Sequence, residues 1–379
     1  MKILIAADKF KGSLTSEAAC NSIAAGIREV DASADVMEFP MADGGDGFAA
    51  VLQYYLRTQT VTCQTVDPLM RPIDATYQWD NHSKTAMIEL AAASGLLLLG
   101  EQERNPLQTS TYGTGLLIKH AIEKGAKKIA LGLGGSATND AGVGILAALG
   151  FKFTDKVANV LTPNGESLQY IDAVISPETM PKINFKIAAD VQNVLSGEDG
   201  AAFVYATQKG ATVKDILVLD KGLQNFARIV QSQTGKDMAG FPGAGAAGGV
   251  AAGLTAYFDV KICSGAQLVI EKSAIKAQLN NCDLIITGEG KLDAQSLCGK
   301  VVHHISKLAN EYQIPVIALC GRVAINQQQI DELRLLSAVG LADDSVSIQT
   351  AMNNAASLLK DLSANVFAAF TQSYKKETY

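Results

Sequence analysis

Four carboxylates stand at the ends of short apolar runs. Asp8 follows ILIAA, Asp190 follows FKIAA, and Glu289 follows LIITG with Asp293 four residues further on. Such runs read as buried parallel strands, and open α/β sheets bind ligands beyond the carboxyl ends of their strands. A carboxylate placed there can hold Mg²⁺, directly or through water, or take the proton of a hydroxyl. Each one taken alone reads equally well as a helix cap or a solvated turn residue. Asp8 is separated from its helix by a loop and is the least obvious cap. Cations accompany the acids: Lys9 and Lys11 in DKFKGSL, Lys209 in ATQKGAT, and Lys291 and Lys300 around GEGKLDAQSLCGK. A phosphoryl group in transfer needs such charges. Surface charge is the plain alternative for each, and for Lys209 alone it is the favoured reading. Arg71 in DPLMRP and Arg104 in ERNP offer forks to a substrate carboxylate, or structural ion pairs.

The stretch KKIALGLGGSATND, residues 127–140, joins a buried strand to a turn stripped of side chains at Gly132, Gly134 and Gly135. Ser136, Thr138, Asn139 and Asp140 then add polar groups at an expected helix N-terminus, where free N–H groups and the helix dipole favour phosphate. A tight turn with an ordinary cap is the bland reading. The same residues, Gly132 to Ala137, also fit the dinucleotide form G-x-G-x-x-A, with Asp155 roughly 20 residues on, which keeps a nicotinamide-dependent reductase open. Other motifs fail. Gly299-Lys300 is followed by Val301, so there is no Walker A loop, and no G-x-S-x-G elbow occurs. The four histidines and six cysteines show no metal-site spacing.

These residues need elements to hold them. Lys2–Ala7, Asp35–Phe39, Asp283–Thr287 and Ile314–Leu319 read as strands of one texture at the two chain ends. Ala19, Ile23, Ile27 and Val30 mark one face of an early helix, and a last helix is expected from about Ile348 to Phe370. Between the ends, Thr60–Val66, Ile73–Trp79, Thr85–Leu90, Lys127–Leu133 and Asn184–Ala189 read as further strands. The Gly/Ala tract Gly243–Gly253 suits close helix packing or backbone approach to a ligand. The division expected is one domain from residues 1–66 and 260–379, with 67–259 inserted as a second. Composition agrees with a globular chain: 379 residues, 48% hydrophobic, 18% charged, net charge -6. That balance argues against disorder and gives nucleic acid no footing. Widely spaced cysteines, a short apolar N-terminal run and no span-length apolar stretch lead to the expectation of a cytoplasmic protein with no membrane partner.

Taken together, the segments resemble the bacterial type 1 glycerate kinase family. The matching blocks include IAADKFKGSL at 5–14, PMADGGDG at 40–47, RNPLQTSTYGTGLLI at 104–118, LGLGGSATNDAGVGILAALG at 131–150, GAGAAGG at 243–249 and TGEGKLDAQSLCGK at 287–300. They span essentially the whole chain in family order. Departures are few: Ala7-Asp8-Lys9 stands for the family's Pro-Asp-Ser, Asp46 for a glutamate, Phe48 for a threonine, Val194 for a proline, and Val301-Val302 follows Gly299-Lys300 where the family has a proline-bearing step. The resemblance implies two unlike α/β domains. One is Rossmann-like, with a mainly parallel sheet built from both chain ends; the other is inserted and carries a mixed sheet, with the active site in the cleft between them. It also implies ATP-dependent, Mg²⁺-assisted phosphorylation of D-glycerate to 2-phosphoglycerate. On that reading Asp190 orients or deprotonates the attacking hydroxyl, with Asp8 able to exchange roles, and Lys11 meets phosphate. Gly134, Gly135, Ser136, Thr138, Asn139 and Arg71 bind substrate or phosphate, and Glu289 and Asp293 neighbour the metal. The partners expected are small molecules, with a homodimer left open. A reductase and a non-catalytic nucleotide sensor are the competing functions.

Overall fold

The computed structural model describes residues 1–45, 47–343 and 346–377. Asp46, the residue standing where the family has glutamate, lies outside them. The chain forms two compact units. The first holds Met1–Asp43, Ala50–Tyr55 and Ser264–Tyr379; the second holds Gly44–Ala49 and Leu56–Cys263.

In chain order the strands are β1 Lys2–Ala7, β2 Asp35–Glu38, β3 Gln59–Val66, β4 Pro72–Asp80, β5 Thr85–Glu89, β6 Lys128–Gly132, β7 Lys152–Thr154 and β8 Ala173–Ile175. They continue with β9 Asn184–Ala188, β10 Asp259–Cys263, β11 Leu284–Gly288, β12 Lys291–Leu292, β13 Val316–Cys320, β14 Arg322–Val323 and β15 Ser337–Gly340. The protein is α/β throughout.

The first unit is built on a five-stranded sheet in the order β15-β13-β11-β1-β2, every pair parallel. Its central strands are the near-continuous apolar runs that a sheet covered on both faces requires. The helix Ser16–Val30 is opened by Thr15, whose hydroxyl accepts from the Ala18 N–H at 3.2 Å. Its Ala19, Ile23 and Ile27 pack with Ile3, Ile5 and Ile286, while Val30 stays exposed at the frayed end of the expected stripe. The expected last helix is two: Ile348–Asn353 and Ala355–Glu377. Asn354 makes the break. Its N–H still bonds Thr350, while its carbonyl already accepts from Leu358 at 3.0 Å.

The second unit carries a six-stranded sheet, β10-β9-β6-β5-β4-β3. β10, β9, β6 and β5 run parallel; β4 and β3 are antiparallel additions. β3, placed by its sequence position with the first chain end, instead pairs residue for residue with β4. The core lies under β5, β6 and β9, where Ile88, Leu131 and Ile187 meet Leu117, Leu146 and Phe226. No helix among the described residues is long and apolar enough to cross a membrane. The five described cysteine side chains are all free thiols.

Candidate active site

In the second unit, β6 lies between β5 and β9, so the chain leaves Gly132 at the middle of the sheet's carboxyl edge. Leu133 extends the ladder by donating to the Ala188 carbonyl at 3.2 Å. Gly134 then donates to the Gly44 carbonyl, and a Cβ on residue 134 would stand 2.3 Å from the Gly45 Cα. Glycine is required there because the acidic loop lies directly on the turn.

The turn does not open a helix, contrary to the expectation. The chain stays irregular to Gly142, and the next helix, Val143–Ala148, has only six residues. Asp140 organises this stretch. It accepts from the Thr111 N–H and hydroxyl at 2.8 Å each, from Gly142 N at 3.1 Å and from Gly144 N at 3.3 Å. The Gly/Ala tract serves the same turn: Gly248 accepts from Ala141 N at 2.9 Å, and a Cβ there would meet the Thr138 carbonyl at 2.3 Å. Close backbone approach, expected for that tract, is therefore toward the turn itself.

Lys209 closes the turn from inside. Only 3% exposed, its ammonium donates to Ser136 Oγ at 2.8 Å and to the Thr138 carbonyl at 2.6 Å. Burial pulls its pKa from 10.5 down to about 8, with the charge of Asp140 opposing the fall. Beside it, Thr138 Oγ1 and both polar atoms of the Asn139 amide are buried with no hydrogen-bond partner among the described residues. Buried polar groups are nearly always paired, and an unpaired one costs about 1–3 kcal/mol, so three together make this turn a candidate ligand site. Asp190 follows β9 by two residues at the same sheet edge, since Ala188 is in register with Gly132. It is half-buried.

In the first unit, the chain passes from β1 to β2 on one side and returns on the other through β11, β13 and β15. The direction of strand order therefore switches between β1 and β11, the crevice where open α/β sheets place ligands. Asp8 leaves β1 there and Glu289 leaves β11, with Asp8 N donating to the Gly288 carbonyl at 2.8 Å. A pocket of about 420 Å³ opens at this point, lined on its polar side by Asp8, Lys11, Asp43, Glu289, Lys300 and Arg322. Burial raises the Asp8 carboxyl well above its usual range, and the Asp43 charge adds to it; the Lys9 N–H at 2.7 Å holds it back. Glu289, 4% exposed, is pushed up to about 7 by burial, and its Oε1 has no hydrogen-bond partner among the described residues.

Among the described residues no group of three or more metal-ligating side chains is set to hold an ion. Mg²⁺ does not require one: it keeps several waters and takes one or two carboxylates together with substrate phosphates. The buried Glu289 oxygen and the Asp8 carboxylate, each disfavoured as an anion, fit that role. Asp293 is otherwise engaged. Its Oδ1 caps the turn Ala294–Cys298 through Gln295 N at 3.1 Å, and it pairs with Lys291 at 3.1 Å and Lys300 at 3.9 Å.

Arg71 is likewise occupied: its guanidinium is held by Asp67 and Glu103, each at 2.5 Å, which makes it a loop clamp in place of a substrate fork. Asp155 binds the amides of Val157 and Asn159 in its own loop. The pattern does follow strand β6, but no helix opens at Ala137, so the dinucleotide reading lacks the helix it requires. Lys209 was the candidate cation most misjudged, favoured as surface charge and found buried. Its only sequence signal is the adjacent Gly210, which takes φ +94° and lets the turn place the lysine inward.

Parallel strands that end in carboxylates, lysines and a glycine turn make an α/β protein with the parts phosphoryl transfer uses. Comparison with known proteins is specific: the glycerate kinase family matches residues 3–371, and the chain belongs to that family. It is 38% identical over 379 residues to the glycerate kinase of Halalkalibacterium halodurans, covering 99% of each chain. It is 36% identical to the glycerate 2-kinase of Escherichia coli K12, covering 91% of this chain and 93% of that one. A crystal structure from Salmonella typhimurium LT2, assigned as glycerate kinase 2, superposes with a TM-score of 0.85 at 33% identity and covers 99% of both chains.

Proposed function

We propose that this enzyme transfers the γ-phosphoryl group of ATP to D-glycerate, giving 2-phosphoglycerate and ADP. The observation that carries the reading is the near full-length similarity to the Escherichia coli glycerate 2-kinase. The buried, unpartnered amide of Asn139 and hydroxyl of Thr138 supply the polar contacts that a small hydroxy acid needs. Lys209 holds that turn in shape from behind, its ammonium bound to Ser136 and Thr138.

Asp190, at the end of β9, orients the attacking hydroxyl and accepts its proton. Asp8 is the alternative base. Glu289, with Asp8, would hold Mg²⁺, which when bound draws charge from the phosphate oxygens. Lys11 contributes a cation of the chain's own to the same negative charge. Asp293 keeps Lys291 and Lys300 in place.

The test is ADP release by the purified protein with ATP, Mg²⁺ and D-glycerate, beside the same mixture without the acid. Release that requires D-glycerate supports the proposal. Equal release without it, or turnover only with a nicotinamide cofactor, would set it aside.

A further inference from the structure

The pocket of the first unit has a second side that the phosphoryl chemistry does not use. Besides the charged residues, its lining includes Leu341, Ile348, Ala351, Met352 and Ala355. Leu341 follows β15 and is fixed by its N–H to the Cys320 carbonyl at 2.8 Å. Ile348 and Met352 stand four residues apart on the helix Ile348–Asn353, hence on one face. They are 50% and 37% exposed, while Ala351 and Ala355 behind them are buried. Large apolar side chains left open on the wall of a polar pocket are what an apolar ligand face would cover. The loop after β1 closes on the same wall. Gly12 takes φ +78°, and a Cβ there would come 2.9 Å from Met352 Cε, which sets Lys11 beside the apolar patch.

A three-carbon hydroxy acid has no surface to match that wall, and a pocket of about 420 Å³ is far larger than it needs. A nucleotide has both halves: a flat base and ribose for the apolar wall, and phosphates for cations. Lys11 and Arg322, both on the pocket lining, form no ion pair among the described residues and are available to anions. Lys9, Lys291 and Lys300 are already paired with carboxylates. We infer that the first unit is the nucleotide-binding unit. The base of ATP rests against Leu341, Ile348 and Met352, and Lys11 and Arg322 receive its phosphates. This deepens the kinase reading and rests on it. It leaves the turn at Gly134–Asn139 for the acid.

The experiment is photolabelling of the full-length protein with 8-azido-ATP, with and without excess ATP, followed by mapping of the modified peptide. It is paired with steady-state kinetics of Ile348→Glu and Met352→Glu. ATP-protected label within residues 341–359, with the KM for ATP raised at least ~10-fold and the KM for glycerate within about twofold of wild type, is expected for a charge placed where only a base contact is lost. Ile348 is half exposed, so that variant folds even where Met352→Glu does not. Label confined to peptides of the second unit overturns the assignment. So does an unchanged KM for ATP in a folded Ile348→Glu. Label in the pocket of a protein that gives no ADP with D-glycerate would instead sink the kinase reading and leave the nucleotide site standing.

Discussion

Lys209 gives the second unit a pH-dependent stability that can be worked out in advance. Its ammonium is buried with two neutral acceptors and, among the described residues, no carboxylate at bonding distance. The folded pKa of about 8 lies below the unfolded 10.5. Between those values the unfolded chain binds the proton that the folded chain has released, so stability rises with pH. At about pH 7 both states are charged and the full cost of burying the cation is present. By about pH 9.5 the folded lysine is almost wholly neutral while the unfolded one is still charged. Each pKa unit corresponds to about 1.4 kcal/mol, and the interval yields a gain of about 2 kcal/mol. Lys209→Met removes the titrating group. The wild type should therefore gain about 2 kcal/mol on the variant between the two pH values, whatever the other groups contribute to both. Trp79 is the chain's single tryptophan, buried in β4, so its fluorescence in a urea titration reports the second unit. A stability difference between the two proteins that is flat with pH, within about 0.5 kcal/mol, would refute the desolvation argument. The variant should also lose ~10-fold or more in kcat/KM, because Ser136 and Thr138 lose the group that fixes them.

Asp140→Ala leaves the amides of Thr111, Gly142 and Gly144 buried without an acceptor, so the Trp79 transition should shift by about 3–5 kcal/mol; a shift under about 1 kcal/mol would show that the network is not holding the turn. Asn139→Ala removes an amide that bonds nothing among the described residues, so the melting temperature should hold within about 2 °C while turnover falls ~10–10²-fold. A steep loss of melting temperature with normal turnover per folded molecule would make Asn139 structural. Asp190→Asn should fold normally and lose ~10²-fold or more in turnover. Near-wild-type turnover there, with collapse in Asp8→Asn, would move the base to Asp8.

Sequence patterning located the edges of the site better than its interior. The apolar runs before Asp8 and Glu289 are strong strand signals, and both strands form where expected. Their common texture placed them in one sheet, as found, but not as immediate neighbours, because the pairing of Ile3 with Leu284 reaches across most of the chain. The glycine-rich turn was visible as a turn, but the helix expected to open from it does not form there, and the reason for its glycines was not legible. Gly134 and Gly248 are small because other backbone lies on them, a tertiary demand that local spacing does not encode. Asp140 looked like a cap for the helix after it and instead ties the turn to Thr111, some thirty residues upstream. Lys209 read as surface charge because burial of a lysine depends on acceptors, here Ser136 and Thr138, that are remote in sequence. Asn354 broke the last helix without glycine or proline, the residues that usually announce a break.

The proposed reaction places the phosphoryl group of ATP on the secondary hydroxyl of D-glycerate. Proton-coupled ³¹P spectroscopy of the product tests it most directly, since ATP use, acceptor and position are read from one signal. The expected result is a new phosphomonoester doublet, split by the single proton on carbon 2, that grows as ADP forms. A triplet, split by the two protons on carbon 3, or no phosphoester signal at all while the protein remains folded, would contradict it.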